Sequence, residues 1–151
     1  MTRSVAICLH NEASELAKVR DALDCFGREL QLPTAELIEL QIALDEIVSN
    51  VIKYSWSDGA DHEFVVRIIV DADEVVLEII DDGAPFDPQR APEPTRRRPA
   101  ARLSHPGGLG IHLIRKLVDG FAYQRIGGRN HTTLTKKFVT GSVGQGELNR
   151  E

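Results

Sequence analysis

Cysteine is scarce in this chain. Cys8 and Cys25 are the two thiols in 151 residues, and they form no CxxC pair and no Cys/His metal spacing. That excludes a disulfide-stapled scaffold or a zinc-dependent fold and leaves two reduced thiols, expected to be half-buried apolar fillers. Long apolar runs are also missing. The N-terminal run Val5–Leu9 is too short for a signal-peptide core or a membrane span, so a cytoplasmic protein without a membrane partner is expected. No 20–50-residue repeat is present, which removes solenoids and propellers. Basic residues are outnumbered, 18 Lys and Arg against 23 Asp and Glu, for a net charge of −5 and a pI near 5.5. A general basic surface for direct nucleic-acid binding is thereby excluded. What remains, 42% hydrophobic and 27% charged residues, is the composition of one globular domain able to bury roughly two-thirds of its unfolded surface.

The charge is unevenly spread. Residues 87–106 hold five Arg, two acids and five of the seven prolines. This local +3 leaves −8 on the rest of the chain. No helical or strand pattern runs through these twenty residues, which inside a compact domain marks a lid or a disordered segment. Arg96, Arg97, Arg98 and Arg102 are the cations there that could reach an anionic ligand.

Residues 4–10 suit a short strand. Leu16, Val19, Leu23 and Phe26 repeat at helical spacing, and Pro33-Thr34 starts a second helix whose apolar stripe runs to about Tyr54. Phe64–Val70 and Val75–Ile80, β-branched and joined by Asp71-Ala72-Asp73-Glu74, read as a hairpin. Gly107-Gly108-Leu109-Gly110 opens a third helix, which Gly120 stops. Phe121–Ile126 and Thr132–Val139 read as strands around Gly127-Gly128-Arg129-Asn130. The order predicts an α+β fold, a mostly antiparallel sheet with helices on one face. Three glycines and little apolar content mark residues 141–151 as a flexible tail.

Three constellations carry chemistry. Glu46 and Asn50 lie four apart on the second helix, with Lys53 three further on. Such a face is commonly solvated, but lining a pocket it offers a carboxylate that accepts a proton and an amide oxygen that ligates Mg²⁺. Asp81 ends a strand before Asp82-Gly83-Ala84-Pro85. The cluster can be a simple turn, or Asp81 can accept from an exocyclic amine while Gly83 lets the ring approach. Gly107-Gly108-Leu109-Gly110 at a helix start presents free N–H groups to phosphate, although it is neither a P-loop nor a dinucleotide fingerprint.

Together and in this order, Glu-x-x-x-Asn, Asp-x-Gly-x-Pro and Gly-Gly-Leu-Gly resemble the asparagine box and the two glycine boxes of the GHKL ATP-binding superfamily. More narrowly, ALDEIVSN, DDGAPFDP and GGLGIHLIRKLVD are similar to the anti-sigma factor serine/threonine kinases of bacterial partner-switching systems, over about residues 4–139. The resemblance implies a Bergerat two-layer α/β sandwich with a mixed, mostly antiparallel sheet and three main helices on one face. It implies one ATP-binding kinase domain over residues 1–140, with the ATP lid at about 87–106. Asp81 would bind the adenine amino group with Gly83 allowing close approach, Asn50 would hold Mg²⁺, and Glu46 would be the general base or orient the attacking hydroxyl. Gly108, Leu109 and Gly110 would offer backbone N–H groups to the phosphates of ATP, and Thr132 or Thr133 a further contact, assigned to Thr133. Asn50-Val51-Ile52-Lys53-Tyr54 looks more like the corresponding box of sensor histidine kinases, which would put Lys53 by phosphate and Tyr54 near adenine. The expected partners are a sigma factor, a STAS-domain antagonist that is phosphorylated, and a second copy of the chain. The alternative is a nucleotide-gated binding module without kinase turnover.

Overall fold

The computed structural model describes residues 2–87 and 108–138. Strand β1 (Arg3–His10) is followed by a single 3₁₀ turn (Ala13–Glu15), helix α1 (Leu16–Glu29) and helix α2 (Thr34–Tyr54). Then come β2 (Glu63–Val70), β3 (Glu74–Asp81), helix α3 (Gly108–Leu117), β4 (Gly120–Ile126) and β5 (Arg129–Lys137). The strands form one sheet in the order β1-β2-β3-β5-β4, and each pairing in it is antiparallel.

Period-two alternation decides which face of this sheet is covered. Phe64, Val66, Ile68 and Val70 on β2 are buried, as are Val75, Leu77 and Ile79 on β3 and Leu134 on β5. They form one core with Val19, Leu23 and Phe26 of α1, Leu40, Leu44 and Val48 of α2, and Ile111 and Ile114 of α3. Each helix supplies the 3.6-residue stripe that its sequence predicts. The intervening strand residues, such as Arg67 and Glu78, are more exposed, and this pair is bridged across β2 and β3 at 3.2 Å. The result is the expected α+β two-layer sandwich.

The inner face changes character at one end. Where β3 and β5 continue past Ile79 and Leu134, the inward positions become Asp81, Asn130 and Thr132, all buried. The register sets Asp81 opposite Asn130 and Ile79 opposite Thr132. That register follows from a tight hairpin. Gly127 and Gly128 adopt φ +57° and +76°, the left-handed pair that a two-residue turn between twisted strands requires, and Ile126 pairs with Arg129. The expected four-residue turn is therefore corrected to two, and β5 begins at Arg129 instead of Thr132.

Two further corrections follow. Cys8 and Cys25 are exposed rather than half-buried, because Cys8 falls on the uncovered face of β1 and Cys25 on the outer side of α1. The expected lid beyond Asp87, with Arg96, Arg97, Arg98 and Arg102, lies outside the described residues, as do Gly107, Val139 and the expected tail. Among the described residues, no helix is long and apolar enough to cross a membrane.

Candidate active site

A small, partly open pocket lies at the polar end of the sandwich. Its helical wall is Ile47, Asn50, Val51, Tyr54 and Ser55, and Asp81, Asn130 and Thr132 come from the sheet, with Phe86 on the loop after β3. Spacings of three and four residues put Ile47, Asn50, Val51 and Tyr54 on one side of α2. Asn50 is only 9% exposed, and its side-chain Nδ2 has no hydrogen-bond partner among the described residues. A primary amide carries two donors and an acceptor oxygen on a rotor that can turn either end outward. The unmet Nδ2–H suits an acceptor such as a phosphate oxygen, and the flipped amide would offer its oxygen to Mg²⁺, which binds through one or two protein ligands plus phosphate oxygens. Among the described residues, no group of three or more His, Cys, Asp or Glu could hold a metal alone.

Asp81 is 4% exposed. Its Oδ1 accepts the Gly83 N–H at 2.9 Å and the Asn130 Nδ2–H at 2.9 Å. Burial pushes its carboxyl above the usual carboxylate range; hydrogen bonds from Asn130, Gly83 and Ser55 and the Arg125 cation oppose that rise. The loop that follows is tied down on two sides. Ala84 N–H donates to the Ser55 carbonyl at 2.7 Å, and Arg125 Nη1 donates to the Gly83 carbonyl at 2.8 Å. A Cβ on Gly83 would overlap the carbonyl oxygen and Cβ of Ser55. Gly83→Ala is therefore expected to destabilise the fold by about 2 kcal/mol, the usual cost of overpacking against backbone, checked by urea denaturation.

Glu46 lies one turn before Asn50, about 6 Å along the helix axis. Its carboxylate sits against the Cα of Gly110 in the first turn of α3, where a Cβ would overlap Glu46 Oε2. A helix N-terminus favours negative charge, so this is a natural seat for a carboxylate or a phosphate. Here the obstructing group is the far end of a flexible side chain. Gly110→Ala should leave stability within about 1 kcal/mol, since Ala is the better helix former, while displacing the Glu46 carboxylate. Thermal melting and phosphoryl-transfer assays on the same variant check the two halves of that expectation.

A model of the histidine kinase-like ATPase domain matches residues 9–136. The chain belongs to this family. Serine/threonine-protein kinase BtrW of Bordetella bronchiseptica is 34% identical over 99 residues, 64% of this chain and 67% of that protein. Serine-protein kinase RsbW of Listeria monocytogenes is 29% identical over 84 residues, 54% of each. The Bacillus subtilis RsbW is 27% identical over 104 residues, 66% of this chain and 61% of that one. The matches thus span about half to two-thirds of these relatives' lengths. In fold, the chain is similar to the crystal structure of the RsbU and RsbW domains of Rv1364c from Mycobacterium tuberculosis. The TM-score is 0.63 at 18% identity, over 89% of this chain and 32% of that one.

Within this histidine kinase-like ATPase domain, Asn50, Tyr54 and Asp81 line one pocket, with Gly83 beside it. Glu46 and Gly110 meet on the α2/α3 side. Gly108 and Leu109 belong to the first turn of α3. Lys53 is exposed and does not line the pocket. The choice of Thr133 is corrected to Thr132. Buried Thr132 lines the pocket, whereas Thr133 alternates to the other face opposite Glu78 and Ala122. Sequence reasoning missed Asn130, Ser55, Phe86 and Ile47. The first was findable: a two-residue Gly-Gly turn makes Arg129 the first strand residue and aligns 130, 132 and 134 on one face.

Proposed function

We propose that this chain is an ATP-dependent serine/threonine protein kinase acting as an anti-sigma factor. It sequesters a sigma factor and transfers the γ-phosphoryl group of ATP to a serine or threonine of a STAS-domain antagonist. The observation that carries this reading is one pocket that joins a buried carboxylate acceptor, Asp81, to an unmet buried amide, Asn50, with the Glu46 carboxylate one turn before Asn50 at the N-terminus of α3. Membership of the family and relatives named as serine kinases support it.

Asp81 accepts a hydrogen bond from the adenine amino group, which guanine, with a carbonyl there, does not offer. The Gly83 backbone gives the ring room, Tyr54 and Phe86 supply apolar walls, and Thr132 adds a hydroxyl. Backbone N–H groups of Gly108, Leu109 and Gly110 bind phosphate oxygens. Mg²⁺, when bound, neutralises phosphate charge, and Asn50 is the residue that would hold it through its amide oxygen. Glu46 accepts the proton of the attacking hydroxyl or orients it. Phosphoryl transfer requires positioning and charge compensation more than covalent chemistry, so these groups suffice.

The domain extends over residues 1–140, with a lid at about 87–106, in a cytoplasmic homodimer. A phosphorylated antagonist gains about −1.5 to −2 charge, which an acidic body of −8 repels. The test is incubation with MgATP and a STAS-domain antagonist, read by intact mass. One phosphate added to the antagonist by the wild type, and none by Glu46→Ala, supports the proposal. Proven antagonist and nucleotide binding without any mass shift overturns the kinase assignment in favour of a nucleotide-gated binding module.

A further inference from the structure

Asn130 sits on β5 directly opposite Asp81 and is 4% exposed. Its amide is fully engaged. Nδ2 donates to Asp81 Oδ1 and to the Ala84 carbonyl, each at 2.9 Å. Oδ1 accepts from the Tyr123 hydroxyl and from Arg125 Nη1, the latter at 3.1 Å. Two donated and two accepted bonds fix which end of the amide faces Asp81, because a flip would set the amide oxygen against two acceptors and its NH₂ against the donor-only Arg125 guanidinium. Asp81 Oδ1, holding both the Gly83 and Asn130 N–H groups, has its two lone-pair directions occupied. Oδ2 is the oxygen left to accept from a ligand.

We infer that Asn130, clamped by Tyr123 and Arg125, is the positioning residue that aims Asp81 at the amino group of adenine and so sets base specificity. The inference rests on the reading of Asp81 as the adenine acceptor. The groups that pin the Asn130 oxygen, Tyr123 and Arg125, both come from β4, the strand paired with β5. The clamp also spans the Gly83-Ala84 loop, since Arg125 Nη1 reaches both Asn130 and the Gly83 carbonyl. A carboxylate held on one oxygen by two donors loses rotational freedom about its last bond, and an acceptor already in place incurs no ordering cost on binding.

The Asn130→Asp variant is isosteric. It keeps acceptors for Tyr123 and Arg125 but turns oxygens toward Asp81 and the Ala84 carbonyl. Its test is calorimetric binding of ATP and of purine riboside 5′-triphosphate, which lacks the amino group, both with Mg²⁺. Wild type should prefer ATP by about tenfold, the worth of one hydrogen bond to a charged group. In Asn130→Asp the preference should collapse to within about twofold, with the analogue's own affinity unchanged; a purely structural defect would weaken both ligands alike. Tyr123→Phe, which removes only one of the two donors that pin the amide, should lower the preference partway. Should Asn130→Asp fail to fold, Tyr123→Phe decides alone. An undiminished preference for ATP in the folded variant overturns the role of Asn130 and leaves that of Asp81 standing. Equal binding of both nucleotides by the wild type overturns the Asp81 reading itself, and this inference with it.

Discussion

Glu46→Gln is expected to lower the rate of phosphoryl transfer by about 10²- to 10⁴-fold, the range that a positioned general base contributes, while nucleotide affinity changes by less than about threefold. Gln keeps the shape that packs on Gly110 and removes only the proton-accepting charge. Single-turnover transfer to the antagonist measures the first quantity and calorimetry the second. A rate within about threefold of wild type would assign Glu46 to packing on α3. The Gly110→Ala variant approaches the same group from the opposite side: it retains the carboxylate but moves it. If both act through Glu46, the double variant is no slower than Glu46→Gln alone, since residues that act as one unit are not additive.

The second large effect is at Asp81. Asp81→Asn should reduce ATP affinity by about 10²-fold or more. It removes a buried charged acceptor and can turn an NH₂ toward the adenine amine, leaving two donors face to face. The same change should leave the fold intact or strengthen it. Burial raises the Asp81 carboxyl above its unfolded value, so the folded chain holds that proton more tightly than the unfolded one. The associated stability is fully present below the ordinary carboxylate range and is lost as pH rises through the raised value. Once ionised, the buried group is a burden that Asn does not carry. Asp81→Asn should therefore match or exceed the wild-type Tm at pH 7, and its stability should vary less with pH across the mildly acidic window. A functional group that costs stability is where local folding rules are expected to yield to chemistry. Retained ATP affinity in this variant, or a Tm lowered by many degrees, contradicts the assignment.

Much of the architecture was legible because its signals are local. Leu16, Val19, Leu23 and Phe26 announce α1, the stripe ending at Val51 announces α2, and the β-branched runs around Asp71–Glu74 announce the β2-β3 hairpin. Glu46 and Asn50 share a helix face by arithmetic alone. What was not legible depends on register. Thr132 and Thr133 are chemically identical, and a one-residue difference sends one to the pocket and the other to the opposite face. The extent of the Gly127-Gly128 turn fixes that parity, and reading it as four residues also concealed Asn130. The Glu46–Gly110 contact is tertiary, set by how α2 and α3 pack, and neither spacing nor composition encodes it. Exposure of Cys8 likewise follows from which sheet face the helices leave open, a fact that a strand's own sequence states only weakly when both its faces carry small or apolar residues.

In the proposed function, the pocket between α2, β3 and β5 holds an adenine nucleotide through Asp81 and its metal through Asn50. Isothermal titration of the wild-type chain with ATP and with GTP, each with and without Mg²⁺, tests it most directly. The expected result is one site per chain, preference for ATP over GTP by at least about tenfold, and tighter ATP binding with Mg²⁺ that Asn50→Ala abolishes. Equal affinity for ATP and GTP, or a Mg²⁺ dependence untouched by Asn50→Ala, would contradict it.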